Sequence, residues 1–134
     1  MGLTAEIAAM RDGRGDPARL VGEFRRAVLL VPIPDGPGGG LMSGASGGIR
    51  WIYAFTDEEA MARFAHARGE ADRDWAYVSM LGARLVDLAV PEARGPAGVV
   101  VNVADGDGSM FFPPVEGIVP DGSAVDLVDG GEAA

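Results

Sequence analysis

Residues 49–65 read IRWIYAFTDEEAMARFA, and the fold class turns on this stretch. Its first half alternates. Ile49, Trp51, Tyr53 and Phe55 share one face of an extended chain, as the two-residue period of a strand requires. At Thr56 the period changes. Thr56-Asp57-Glu58-Glu59 spells a capping box, in which Thr56 accepts from the Glu59 amide and the Glu59 side chain returns to the Thr56 amide. The acids also suit the positive end of a helix. The helix so predicted buries Ala60, Met61, Phe64 and Ala65, and Gly69 closes it in the left-handed conformation. A strand feeding directly into a helix is the building unit of α/β folds.

Upstream, Val28-Leu29-Leu30-Val31 is an apolar run ending at Pro32 and reads as a strand covered on both faces. Between the two strands lies a glycine-rich loop, Pro34 to Gly48, in which seven of the 13 residues from Gly36 to Gly48 are Gly. A phosphate-binding fingerprint needs a strand before it and a helix after it. Here a strand follows, so the segment reads as a flexible inter-strand loop. Closer to the N-terminus, Leu3, Ile7 and Met10 predict a short helix with Thr4 as its cap. Asp16-Pro17 reads as the N-cap and first residue of a second helix, whose apolar face is Leu20, Phe24 and Ala27.

Downstream, Trp75 to Met80 fits either period; the clustering of Trp, Tyr and Val favours a strand. A helix from about Leu81 to Ala89 then buries Leu81, Leu85 and Leu88, with Pro91 after its end. Val99 to Val103 is a second buried strand. Asp105-Gly106-Asp107-Gly108 is turn chemistry, and Ser109 to Phe112 is a last strand stopped by Pro113-Pro114. The alternating middle predicts parallel strands with right-handed crossovers, the first and last strands pairing antiparallel. The expected architecture is a single α/β domain, bordering on α+β, with a mixed sheet and helices packed on it. It spans residues 1–120, and an acidic, flexible tail occupies 121–134.

The 134 residues carry 20 acids against 11 basic residues, a net charge of −9, and every basic residue is Arg. The absence of Lys excludes Schiff-base chemistry and the usual P-loop. The absence of Cys excludes disulfides and thiolate nucleophiles. With a single His there is no Cys/His zinc site. Asp105-x-Asp107-x-Ser109 has the odd-position spacing of a calcium loop, but the segment reads as a turn and no metal is expected. Residues 105–134 hold seven acids and no Arg, a charge that repels nucleic acid. No apolar run is long enough for a membrane span, and residues 1–14 lack the pattern of a signal peptide. The expected location is the cytoplasm, and the Arg-, Ala- and Gly-rich composition fits a GC-rich bacterial genome.

The step Phe55-Thr56-Asp57 into a capped helix, the helix start Gly82–Leu85, and the strand Gly98-Val99-Val100-Val101-Asn102 together resemble the N-terminal domain of the SseB (enhanced serine sensitivity) family. The resemblance covers roughly residues 20–120. It implies the fold and a bacterial cytoplasmic setting, but no defined reaction. Where the family pattern has Asn-Pro at the end of the late strand, this chain has Asn102-Val103.

Ligands of open sheets bind beyond the carboxyl ends of parallel strands. Those ends gather Thr56, Asp57, Ser79, Asn102 and Asp105 as candidate ligand-binding residues. Phe111, Phe112, Val115 and Ile118 are the candidate protein-contact residues. No catalytic set is defined, because His66 has no identifiable nucleophile or acid partner, and no cofactor is implied. The leading function is a non-enzymatic protein-binding, scaffold or accessory module whose partner is another protein or a second copy of the chain in a homodimer. The alternative is a small-molecule sensor or weak enzyme with its site at the strand ends.

Overall fold

The computed structural model describes residues 2–34 and 40–127. Two helices open the chain, α1 (Leu3–Arg11) and α2 (Pro17–Arg26). The N-cap of α1 is Gly2, so Thr4, expected to cap it, lies inside the helix and has no capping role. Asp16 caps α2 as expected, accepting from the Ala18 amide at 2.9 Å with Pro17 in the first turn.

The strands are β1 (Val28–Ile33), β2 (Ser43–Ser46), β3 (Ile49–Ala54), β4 (Ala76–Leu81), β5 (Ala97–Val101) and β6 (Met110–Phe112). A four-stranded sheet runs β2-β3-β5-β6, and β1 pairs with β4 alone. One antiparallel bridge, Leu30 to Phe55, ties the two sheets. Strands β3 and β5 are parallel, and β6 is antiparallel to β5. The fold is thus a mixed α/β domain. One expectation about its middle fails: β4 is not a parallel neighbour of β3 but lies antiparallel on β1. The cause is occupancy, since both edges of β3 are taken by β2 and β5. Part of the glycine-rich loop is also a strand. Gly47 and Gly48 have φ of 63° and 81°, the two left-handed positions of a tight hairpin turn that pairs β2 with β3. Residues 35–39 of that loop lie outside the described residues.

Helix α3 (Glu58–Ala67) ends at Gly69 (φ 73°) as expected. The Gly69 amide donates to the His66 carbonyl and the Glu70 amide to that of Ala65, a Schellman ending. After β4 the chain is helical from Gly82 to Glu92, with a π-turn at Leu85–Ala89 between two short α-segments. The expected helix differs in two ways. Pro91 continues the run instead of following it, because the wide π-turn already opens the ladder that proline disrupts. The wide turn also rotates the buried stripe onto Leu85, Val86 and Val90 and leaves Leu88 (51% exposed) outside, while Leu81 (41%) is the last residue of β4 and not of the helix.

The main core lies between α1, α2, the 82–92 segment and one face of the sheets. It joins Ile7, Phe24, Leu29, Val31, Ile52, Val99, Val101 and Phe112, with Phe24 and Phe112 stacked at 4.2 Å. A second cluster lies on the opposite sheet face, where α3 packs Met61 and Phe64 over Phe55. The chain stays packed past Pro120. Ala124 is buried, and the Val125 amide donates to the Pro114 carbonyl at 2.8 Å. Residues 128–134 of the expected tail lie outside the described residues. No described helix is long and apolar enough to cross a membrane.

Candidate functional site

The parallel strands β3 and β5 end side by side at Ala54 and Val101. Strand β5 stops there, two residues short of the Val103 end expected, because Asn102 turns into the left-handed region (φ 54°). Asn is the non-glycine residue that tolerates this best. Its main-chain amide donates to the Ala54 carbonyl at 2.9 Å, and its carbonyl accepts from the Asp105 amide at 3.0 Å. Its side chain reaches across to the other strand. The Thr56 amide donates to Asn102 Oδ1 at 3.0 Å, and Asn102 Nδ2 donates to Thr56 Oγ1 at 3.0 Å. Asn102 is 3% exposed. The turn that follows takes only the Asn102 main-chain carbonyl, and the side chain is spent on Thr56.

The Thr56 hydroxyl is thereby engaged with Asn102, and the capping box expected at Thr56 and Glu59 does not form. Asp57 is the N-cap of α3, its Oδ1 accepting from the Ala60 amide at 2.8 Å. The cap has moved one residue along because the strand's last polar side chain is claimed by its neighbour. Asp105, on the turn after β5, holds Arg63 of α3 in a two-pronged pair at 2.6 and 2.9 Å. The Asp105 hydrogen bonds raise the Arg63 guanidinium above its usual value, and the charges of Asp57 and Glu59 add to that. Nothing in the sequence points to Arg63, because the contact spans 42 positions. Ser79 is apart from this group, exposed on β4 opposite Leu30. The structure therefore brings together Thr56, Asp57, Asn102 and Asp105 and commits each to a protein partner. Among the described residues no group of acids and His is placed to hold a metal.

The apolar candidates divide. Phe112 is buried in the main core, whereas Phe111, its neighbour on β6, is 49% exposed on the outer face of the sheet. Val115 and Ile118 are half-buried, Ile118 against the main core. The apolar residue that sequence did not single out is Trp51, half-buried on β3. Its ring meets Phe111 edge-on at 4.8 Å and lies over Gly98. A Cβ at Gly98 would stand 2.8 Å from the Trp51 ring, so glycine is what lets the ring lie flat on β5. Tyr53 lies over Gly44 in the same way and touches Phe64 at 4.8 Å. Val100 beneath them is 1% exposed. Trp51, Tyr53, Val100, Val103 and Phe111 line a shallow depression of about 140 Å³. Helix α3 reaches Tyr53 and Phe55 but not Trp51 or Phe111. A second hollow, of about 240 Å³, lies between α3 and the start of β4, lined by Met61, Ala65, Trp75 and Tyr77 among others. There the Tyr77 hydroxyl donates to Glu58 at 2.7 Å, which raises the phenol above its ordinary value.

The family model for the SseB protein N-terminal domain matches residues 3–116, and the chain belongs to that family. The match begins 17 residues earlier than the resemblance read from the sequence, taking in α1. No curated protein and no solved structure matches the chain.

Proposed function

We propose that this member of the SseB N-terminal domain family is a non-enzymatic protein-binding module, a scaffold or accessory component of a GC-rich bacterium's cytoplasm. Its contact surface is the outer face of the four-stranded sheet around Trp51 and Phe111. The observation that carries this reading is the pairing of these two rings at the end of the sheet that α3 leaves bare, Phe111 half-exposed and Trp51 partly exposed. Large aromatic groups held rigid on a strand give contact area at low entropic cost. The net charge of −9 favours a partner whose apolar patch is flanked by basic residues. The small-molecule alternative loses support, because Asn102, Thr56, Asp57 and Asp105 are engaged with one another or with Arg63 and Ala60.

The test is affinity capture from the native cell extract with the wild-type chain and with Phe111→Asp. The expected result is a partner retained by wild type and lost by the variant, with both showing the same circular dichroism. Equal capture by the two chains rejects the surface. Capture lost on Asn102→Gly in a folded chain, and kept by Phe111→Asp, moves the site to the strand ends.

A further inference from the structure

Among the described residues the sheets have three open edges, and two of them are blunted. Strand β2 is four residues long and contains Gly44; strand β6 is three residues long and runs into Pro113-Pro114. Short strands and prolines are the ordinary means by which proteins stop edges from pairing. Strand β4 has neither. It is six residues, Ala76-Tyr77-Val78-Ser79-Met80-Leu81, without a charge or a proline, and among the described residues it pairs with β1 alone.

The pairing pattern shows which main-chain groups this edge offers. The Gly82 amide donates to the Ala27 carbonyl at 3.0 Å, so in the β1–β4 register the bonded positions of β4 are 76, 78 and 80. On β1 the alternate residues point the other way. Leu30 exchanges both bonds with Phe55, and Pro32, which has no N–H, only accepts, from Met42. On β4 the alternate residues are Tyr77, Ser79 and Leu81. Their amides face the open edge, with the carbonyls of Tyr77 and Ser79.

We infer that β4 is a self-pairing edge: two copies of this chain join through antiparallel β4 strands about a twofold axis at Ser79. The register is set by the strand's own side chains. With Ser79 facing Ser79 of the second copy, Tyr77 faces Leu81 at both ends. Tyr77 and Leu81 are exposed apolar residues of β4, and they share a face with Val28, which lies opposite Leu81 on β1 and is 60% exposed. Pairing covers this row, and the small serine at the axis lets the strands approach. Charge agrees with the direction. The exposed entry Asp72-Arg73-Asp74 carries one net negative charge and the exposed Arg84 follows β4, so antiparallel pairing brings the net-acidic entry of one strand toward the arginine at the exit of the other. Six residues a side make a small interface, so the association depends on concentration. The inference rests on β4 alone and stands or falls apart from the aromatic face.

The experiment is analytical ultracentrifugation of the full chain over a concentration series, with amide hydrogen exchange on the same samples. Wild type is expected to pass from the 13.8 kDa monomer to a species of twice that mass. The amides of Tyr77 and Ser79 should exchange fast when dilute and slowly when concentrated, while those of Val78 and Met80 stay slow throughout. Ser79→Lys sets two ammonium groups across the axis and should weaken the dimer by about tenfold or more. Leu81→Lys, at an exposed strand end, is the milder variant should Ser79→Lys unfold, and it too should weaken the dimer. Phe111→Asp should leave the dimer unchanged. A chain that remains monomeric throughout overturns the inference, as does a dimer that survives both lysine variants. Protection of Tyr77 and Ser79 that appears only when a different protein is added overturns it as well, since the occupant is then a foreign strand.

Discussion

Asn102→Ala separates a structural asparagine from a ligand-binding one. The structural cost has two parts. Truncation removes both side-chain hydrogen bonds to Thr56 and leaves the Thr56 amide without its acceptor beside a residue that is 3% exposed. Leaving such a group unmet costs about 1–3 kcal/mol. Alanine must also hold φ at 54°, which adds about 1 kcal/mol for a residue with a Cβ. The sum is about 2–4 kcal/mol. Asn102→Gly isolates the first part, since glycine adopts this φ without strain. It should cost about 1–3 kcal/mol and leave the chain more stable than the alanine variant. Urea unfolding followed by Trp fluorescence measures all three chains. An alanine variant within about 0.5 kcal/mol of wild type refutes the reasoning. So does a glycine variant less stable than the alanine one, because the φ argument requires the opposite order.

Asp57→Ala should destabilise the domain by about 0.5–2 kcal/mol, as loss of an N-cap does, while Glu59→Ala should change the same urea midpoint little. Equal losses would restore the capping box at Thr56. Gly98→Ala should cost about 1–3 kcal/mol through overpacking, since the new Cβ meets both the Trp51 ring and the Phe112 carbonyl. A shifted Trp fluorescence maximum should accompany it, and an unchanged spectrum and midpoint would mean that Trp51 does not lie on β5. The Arg25–Asp87 pair is bidentate at 3.2 and 2.7 Å and joins α2 to the π-turn. Its hydrogen bonds hold the Asp87 carboxyl below its ordinary range. A lowered folded value means that the pair stabilises above the ordinary carboxylate range and that this is lost as pH falls through the folded value. Both side chains are over a third exposed, so the effect is small, about 0.2–1 kcal/mol. Asp87→Asn should remove that part of the acid sensitivity, and an unchanged acid titration of stability would deny the pair any role.

Much of the fold was legible because local chemistry decided it. Asp16-Pro17, the Ile49–Phe55 alternation, Gly69 and the Val99–Val101 run each have one favourable local structure, and each takes it. The failures are those where a distant partner decided. Trp75–Met80 carried a correct strand signal with no information on its neighbour, and its place on β1 follows from β3 having no free edge. The glycines at 44, 47 and 48 read as looseness. They are instead one resting place for the Tyr53 ring and a two-residue turn. The Pro91 segment failed for a third reason, since a π-turn shifts the buried stripe onto residues that a regular helix would not align.

The strand-end group shows how little a list of residues says about where their hydrogen bonds go. Thr56, Asp57, Asn102 and Asp105 do converge where parallel strands end, as open-sheet topology requires. What topology leaves open is where their hydrogen bonds go. An asparagine amide has a fixed number of donors and acceptors, and here Oδ1 and Nδ2 both serve Thr56 across 46 positions of sequence. That partner exists only once β3 and β5 are in register. The same register lays Trp51 on Gly98 and sets Phe111 beside it. One alignment of strands thus closes the polar end of the sheet and builds the aromatic face. The stripe Trp51, Tyr53, Phe55 looked uniform because alternation reports a face and not how far along it the covering helix extends. Phe55 is buried under Phe64, Tyr53 is partly covered, and Trp51 lies beyond the reach of α3. The uncovered end of that stripe, rather than the polar ends of its strands, is the surface we propose for a partner.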